Sequence, residues 1–298
     1  MYLLNIHPTR LEALTAHDRT LTRWSLDDGT ATILMQVTDA PHDICATAIA
    51  PEGEQVAVAS LAPILDCNGG EAYTPYPSGP GFSGIFGDTF VPCEIELRDW
   101  PDLSVVQTIP LPGSGASILS MCFSPDGRWL AAADGRGSVF LIDRHTSQIT
   151  HTFAHPEGPD LSGLAFDPTS TYLAAGGSNM GGGGVTLYRL EQSELHQVIA
   201  DYHANFEYLT DYDYPVGLDL RETVFQVAFS PDGAMLAIAT NDNNEQSGFL
   251  VVFDTQSGQP RWSLHLDPET ELADGSHLHP AFQYNGHYYC SQLCFTPD

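Results

Sequence analysis

Three histidines, His277, His279 and His287, cluster with Asp274 in one stretch of the chain. Two histidines spaced two apart on a strand share a face, and imidazole nitrogens on one face can hold zinc. A solvated loop is the commoner setting for such residues, and the sequence offers no further ligand, so no metal is assigned. Asn241-Asp-Asn-Asn-Glu245 is rich in oxygen ligands but lacks the spacing of a calcium loop, and it reads as a polar hairpin. Gly79-Pro-Gly-Phe-Ser-Gly84 matches a dinucleotide fingerprint by its letters. It lies in a Pro, Gly and aromatic stretch with no helix pattern after it, which fails the context that fingerprint needs. GxSxG, HExxH and phosphate-loop signatures are absent. The sequence therefore predicts a non-catalytic protein without a cofactor.

The cysteines give no scaffold. Cys45, Cys122, Cys290 and Cys294 fall on apolar strand patterns and read as small buried thiols. Cys67 and Cys93 flank a long insertion and would clamp it by a disulfide in an exported protein; in a reducing compartment they stay free.

Composition narrows the partners. The 298 residues carry a formal charge of −28, and all ten bases are Arg, with no Lys. That removes a Schiff-base lysine, a phosphate-loop lysine and a Lys-rich nucleic-acid patch, and argues against binding a bare phosphate backbone. No apolar run is long enough to form a membrane-spanning helix, and Met1-Tyr-Leu-Leu-Asn-Ile-His-Pro8 lacks the basic and apolar regions of a signal peptide. The expectation is a soluble cytoplasmic protein.

What must position any functional residue is a repeat. The turns His7-Pro8-Thr9-Arg10, Ala50-Pro51-Glu52-Gly53, Ser124-Pro125-Asp126-Gly127, Asp167-Pro168-Thr169-Ser170, Ser230-Pro231-Asp232-Gly233 and Thr296-Pro297-Asp298 each follow an apolar run. Pro presets φ at the second turn position and Asp-Gly reverses the chain. The prolines at 8, 51, 125, 168, 231 and 297 are 43, 74, 43, 63 and 66 residues apart, which reads as a 43-residue unit with three insertions. In the third unit four strand-like runs stand at Ile118–Phe123, Trp129–Ala133, Ser138–Asp143 and Ile149–Phe153, and helix periodicity is missing.

A unit of this length with four strands resembles the WD40 repeat family. Phe123-Ser-Pro-Asp-Gly-Arg-Trp-Leu-Ala-Ala-Ala133 followed by Val139-Phe-Leu-Ile-Asp143 looks like that family's signature. In Asp18-Arg-Thr-Leu-Thr-Arg-Trp-Ser25, Asp18 matches the hairpin Asp and Trp24 the signature Trp, with Ser25 in place of the final Asp. Arg98, Ile142, Tyr188 and Phe253 occupy the Trp position elsewhere, and the following Asp persists as Asp99, Asp143 and Asp254; His155 stands where the family has its Gly-His. The resemblance implies an all-β, WD40-like β-propeller of four-stranded antiparallel blades. One domain, 1–298, is expected, with blades at about 1–40, 41–111, 112–156, 157–200 and 223–266 and a partial sixth at 290–298. Five blades and one strand do not close a ring well, so the expectation is a fragment or truncated product of a six- or seven-bladed protein.

The insertions fall at about 62–92, 201–222 and 267–289, and hold nine of the twelve tyrosines. In an antiparallel blade the second-to-third connection and the connection to the next blade leave at one end. All three insertions are therefore expected on one face. Asp201-Tyr-His-Ala-Asn-Phe-Glu-Tyr-Leu-Thr-Asp-Tyr-Asp-Tyr214 interleaves aromatics with acids, and tyrosine combines rigid contact area with a polar tip. Such aromatics also fold back to close their own loops. The partner-facing reading assigns Tyr202, Phe206, Tyr208, Tyr212, Tyr214, Tyr73 and Tyr76 to contact, with Asp211 and Asp213 attracting basic groups. The expected function is a protein-interaction scaffold or adaptor for a protein or peptide, basic where charge decides, with neither nucleic acid nor membrane as partner. The alternative is an enzyme or a small-ligand or metal sensor using the propeller's central pocket, with His277, His279 and Asp242 as its candidates.

Overall fold

A computed structural model describes residues 2–17, 19–27, 32–37, 44–60, 64–65, 71–72, 93–111, 118–135, 137–154, 161–179, 182–190, 194–201, 223–241, 248–266, 283–284, 287–288, 293 and 295. Strands run through the described chain, and no α-helix occurs among these residues. The first sheet holds β1 to β4 (Tyr2–Ile6, Glu12–His17, Thr20–Ser25 and Thr32–Val37). The second holds β5 (Ile44–Ile49), β6 (Gln55–Ser60), β9 (Cys93–Asp99) and β10 (Val105–Leu111), with a short hairpin, β7 (Ile64–Leu65) and β8 (Glu71–Ala72), between its middle strands. The third is β11 to β14 (Ile118–Phe123, Trp129–Asp134, Ser138–Asp143 and Gln148–Ala154), and the fourth β15 to β18 (Leu161–Phe166, Tyr172–Asn179, Gly182–Arg189 and Glu194–Asp201). β19 to β22 (Thr223–Phe229, Met235–Asn241, Gly248–Asp254 and Pro260–Leu266) form the fifth, and β23 (Gln283–Tyr284) pairs with β24 (His287–Tyr288). The four runs read in the third unit all fall on strands, two with the same ends and two extended by a single residue at one or both ends. The architecture is the all-β one expected, with antiparallel four-stranded sheets.

Each sheet follows one local recipe. In the second to fifth sheets the first strand skips one residue against the second, between Ile44 and Ala46, Ile118 and Ser120, Leu161 and Gly163, and Val224 and Gln226. Such a bulge bends the strand and increases its twist. The Pro turns then reverse the chain. Ser124 Oγ accepts from the Trp129 amide at 2.8 Å and donates to Asp126 Oδ1 at 2.5 Å, while the Gly127 amide donates to the Ser124 carbonyl at 2.9 Å. Ser230, Asp232 and Gly233 repeat the arrangement at 2.9, 2.6 and 2.8 Å. Where Asp167 opens the turn, its carboxylate takes the Thr171 and Tyr172 amides directly, at 2.7 and 2.6 Å. In the first turn His7 does the same work through Nδ1, which accepts from the Thr9 and Arg10 amides at 3.2 and 3.1 Å.

The chain forms two compact units, residues 1–136 with 140–152, and 137–139 with 153–298. In the first unit, Ala57, Ala59, Ile95, Leu97, Ile109 and Leu111 of the second sheet share a core with Ile118, Leu130, Ala132, Phe140 and Ile142 of the third. The opposite flank of the second sheet, with Val56 and Val58, packs on Leu14, Ala16 and Leu21 of the first. Trp100, only 6% exposed, closes that second interface; its ring lies 4.8 Å from His7 and its Nε1 donates to Glu12 at 2.8 Å. In the second unit Leu236, Ile238, Val251 and Phe253 of the fifth sheet pack on Ala174, Val185 and Leu187 of the fourth. The second strands are rich in small residues, alternating with larger ones in β6 and β20 and running together in β12 and β16, and small side chains let neighbouring sheets approach closely. At Gly176 the approach leaves no room at all, since a Cβ there would lie 2.6 Å from Val224 Cγ1.

The turn glycines separate backbone strain from crowding. Gly53 and Gly233 both hold positive φ, +77° and +71°. A Cβ on Gly233 would meet only Pro168, at 3.5 Å, whereas one on Gly53 would fall 2.2 Å from the His7 ring. Gly233→Ala is expected to cost about 1–2 kcal/mol, the left-handed penalty alone. Gly53→Ala adds overpacking of about 1–3 kcal/mol. Denaturant midpoints check this, and equal losses in the two variants would refute it.

Candidate functional site

The residues at the signature-Trp position do structural work in four different ways. Trp24 donates from Nε1 to Thr15 Oγ1 on the neighbouring strand at 2.7 Å. Ile142 and Phe253 are buried in the cores already described. Tyr188 stacks on Phe153 with ring centroids 4.6 Å apart, and burial pushes its phenol well above the usual range. Arg98, 3% exposed, donates to Glu96 from Nε and Nη2 at 3.0 and 2.8 Å and to the Leu103 carbonyl from Nη1 at 2.7 Å. A buried guanidinium is tolerated because charge and donors are answered together.

The aspartates after these positions cap the third-to-fourth-strand hairpins. Asp143 Oδ1 accepts from the Thr146 and His145 amides at 3.0 and 3.1 Å, and Asp254 Oδ1 from Ser257 and Gln256 at 2.9 and 3.1 Å. The Thr146 amide leads in holding the Asp143 carboxyl below its ordinary range, and the Arg261 guanidinium, followed by Ser257, does so more strongly for Asp254. Asp99 differs: its backbone closes the turn through Leu103 and Ser104, and Asp102 supplies the carboxylate cap to the Ser104 amide and hydroxyl. Asp18 and His155 lie outside the described residues.

Turn packs on turn within each unit. His7 accepts two amides at Nδ1, so its proton is on Nε2, which donates to the Gly53 carbonyl at 2.8 Å. Arg144 joins the second and third sheets, donating to Gln55 Oε1 at 3.0 Å, to the Gly127 carbonyl at 3.2 Å and to Glu52. Burial of Glu52 is the largest influence and would raise its pKa, but the Arg144 bond, the Glu52 amide and the Arg144 charge together outweigh it and the carboxyl is lowered. The acids at the Pro-turn ends are thus engaged by amides, hydroxyls and guanidinium groups. They leave little unanswered charge for a ligand, and among the described residues no group of three His, Cys, Asp or Glu could hold a metal.

The other ends of the second, fourth and fifth sheets carry the long connections. Between β6 and β9 the chain takes residues 61–92; β18 ends at Asp201 and β19 begins at Thr223; β22 ends at Leu266. The assigned contact residues Tyr73, Tyr76, Tyr202, Phe206, Tyr208, Asp211, Tyr212, Asp213 and Tyr214 lie outside the described residues, as do His277, His279 and Asp242. Cys67, Cys290 and Cys294 do also; Cys45 is buried and its thiol donates to the Ala59 carbonyl at 3.3 Å, while Cys122, expected to be buried, is only half-buried. The sequence reading missed one surface. Trp262 and Leu264 on the outer strand of the fifth sheet are 47% and 43% exposed. Their apolar alternation reads as an ordinary buried strand, and no local signal distinguishes it.

Two stretches, 104–143 and 147–180, match the family model for the WD domain, G-beta repeat. The first begins at Ser104, just before β10 of the second sheet, and ends at Asp143 of the third, so the sequence repeat is offset from the sheets by one strand. The chain is 31% identical over 147 residues to the WD repeat-containing protein SL1-17 of Schistosoma mansoni, covering 49% of this chain and 40% of that protein. It is 23% identical over 198 residues to the meiotic recombination protein rec14 of Schizosaccharomyces pombe, covering 60% and 63%. With the WD repeat, SAM and U-box domain-containing protein 1 of Danio rerio it shares 30% identity over 105 residues, covering 35% and 20%. The chain thus spans less than two thirds of each of these relatives.

The capped hairpins predict the acid response. A carboxyl whose pKa is lowered on folding stabilises the fold above its unfolded value, ~3.9 for Asp, and loses that contribution as pH falls through the folded value. Asp143, Asp232 and Asp254 are all lowered. The melting temperature is expected to fall as pH drops below about 4, and Asp254→Asn to flatten that fall. An Asp254→Asn profile parallel to that of the parent would refute it.

Proposed function

From a chain carrying WD40 repeats, we propose a non-catalytic protein-interaction scaffold that presents the acidic, Tyr-rich connections to a basic protein or peptide. WD repeat proteins generally act by holding protein partners. The observation that carries the finer reading is the placement of the long connections. Residues 61–92 join the second and third strands of their sheet, and 202–222 leave the last strand of the fourth sheet for the first of the fifth. In an antiparallel meander both depart from the end opposite the Pro turns. The Pro-turn ends are tight and internally bonded, so variation in length and composition is confined to the other ends. Long loops on a rigid frame are where binding residues concentrate. Those loops combine tyrosine with Asp211 and Asp213 in a chain of net charge −28, which favours a cationic partner.

The test is affinity capture from a lysate of the organism that encodes the chain, with one bait intact and one in which residues 202–221 are replaced by Asn-Gly. Both baits are first shown to melt cooperatively. A partner held by the intact bait, lost by the shortened one and released by added salt is the expected result. Equal capture by both baits would overturn the assignment.

A further inference from the structure

The outer strands of the second and fifth sheets expose apolar residues at different places, Val105 and Val106 at the bulge of β10 and Trp262 and Leu264 beyond the bulge of β22. In the second sheet Ala59, Ile95 and Ile109 form one cross-strand row from β6 through β9 to β10. All three are buried against the third sheet, Ile109 to 2% exposure. The same row in the fifth sheet is Ala239, Leu250 and Leu264. There Ala239 is buried, Leu250 is half-buried and Leu264 is 43% exposed. Trp262 shares the flank of Leu264, two residues earlier on the strand. The inner end of this flank is covered and its outer end is open.

The backbone of this edge is also available. β22 is the last strand of its sheet, and Trp262 to Leu266 pair residue by residue with Val252 to Gly248. Among the described strands nothing pairs with its other side. Natural edges are blunted by proline, charge or a bulge. β10 has a bulge at Val106 and carries Pro110, and β14 exposes Gln148, Thr150 and Thr152. On β22 the proline and the bulge both stand at its start, at Pro260 and at Arg261, which is bound to Asp254; Trp262 to Leu266 contain neither proline nor an acid, Lys or Arg.

We propose that β22 is a docking edge for an extended, cationic segment of another protein, which adds as a fifth strand with apolar residues two apart over Trp262 and Leu264. Strand addition takes its affinity from main-chain hydrogen bonds and its selectivity from alternate side chains. Charge selects the occupant. The chain carries −28, and the sequence after β22 continues with Asp267, Glu269, Glu271 and Asp274 without a base. A second copy bearing the same charge is repelled, and a segment flanked by Lys and Arg is drawn in.

The probe is a labelled peptide, Arg-Lys-Val-Thr-Val-Thr-Val-Lys-Arg, read by fluorescence anisotropy on the full chain. Two controls replace its bases with Glu or its central Val with Pro. The cationic peptide is expected to bind at least tenfold more tightly than either control, and at least tenfold more tightly than it binds the Trp262→Ser, Leu264→Ser double variant. Both substitutions are at exposed positions, so the melting temperature should hold. If the double variant melts early, hydrogen exchange on the unmodified chain decides, with protection gained at 262–266 in support and protection elsewhere against. Equal affinity for the double variant, equal binding of the proline peptide or no binding overturns the proposal. So does self-association of the parent that the double variant lacks, which would give the edge to a second copy. Replacing residues 202–221 should leave this binding unchanged, which separates it from the scaffold reading.

Discussion

A four-stranded sheet that is apolar on both flanks is not stable with either flank in water. The second sheet makes the point: Val56 and Val58 require the first sheet, while Ala57, Ala59, Ile95 and Ile109 require the third. Burying one Leu or Ile is worth about 1.5–3 kcal/mol, and each flank contributes several such residues. Small residues on the second strand set how closely the sheets approach. The repeated bulge on the first strand sets the twist that keeps successive flanks complementary. The Pro turns then act as spacers, with Gly53 against His7 and Gly127 against Pro51 and Glu52.

That constraint was legible in the sequence because it is local and repeated. The Pro turns mark where each first strand ends, and the small-apolar run after each marks the second. Asp167 and His7 show why the turn is recognisable despite changes in its first residue: each supplies an acceptor to the amides just beyond the proline. Arg98 shows the limit. At a position where an aromatic or aliphatic residue stands in other sheets, it is buried by a pairing with Glu96 and the Leu103 carbonyl that no repeat pattern announces. Asp99 shows another, since the matching residue keeps its place while Asp102 takes over the capping. The proposed contact residues were found by composition alone, which identifies a loop's chemistry and not its geometry.

The two ends of each sheet therefore have different physical characters. At the Pro-turn end most polar groups have an internal partner, and Glu52, Asp102, Asp143, Asp232 and Asp254 have lowered pKa values because amides, hydroxyls and guanidinium groups bond their ionised forms. A chain with ten arginines cannot neutralise its 38 acids internally, and the arginines that reach acids do so mostly at these turns. The three long insertions carry thirteen of those acids against one arginine. Charge and aromatic surface thus coincide in sequence where the frame imposes least on them.

The same excess charge bears on the exposed edge. An apolar strand edge without proline or cation invites indiscriminate pairing, and most proteins suppress it on the strand itself. β22 is blunted only at its start, by Pro260 and the bulge at Arg261, and Trp262 to Leu266 carry neither device. Suppression then has to come from the molecule as a whole, through repulsion between copies that each carry −28. Such a defence discriminates by sign: it excludes acidic strands and second copies while leaving the edge open to basic ones. A proline beyond the bulge, such as Pro110 on β10, would exclude both. Protection by net charge on one strand, and by backbone chemistry on another, is the arrangement expected if the first is kept for use.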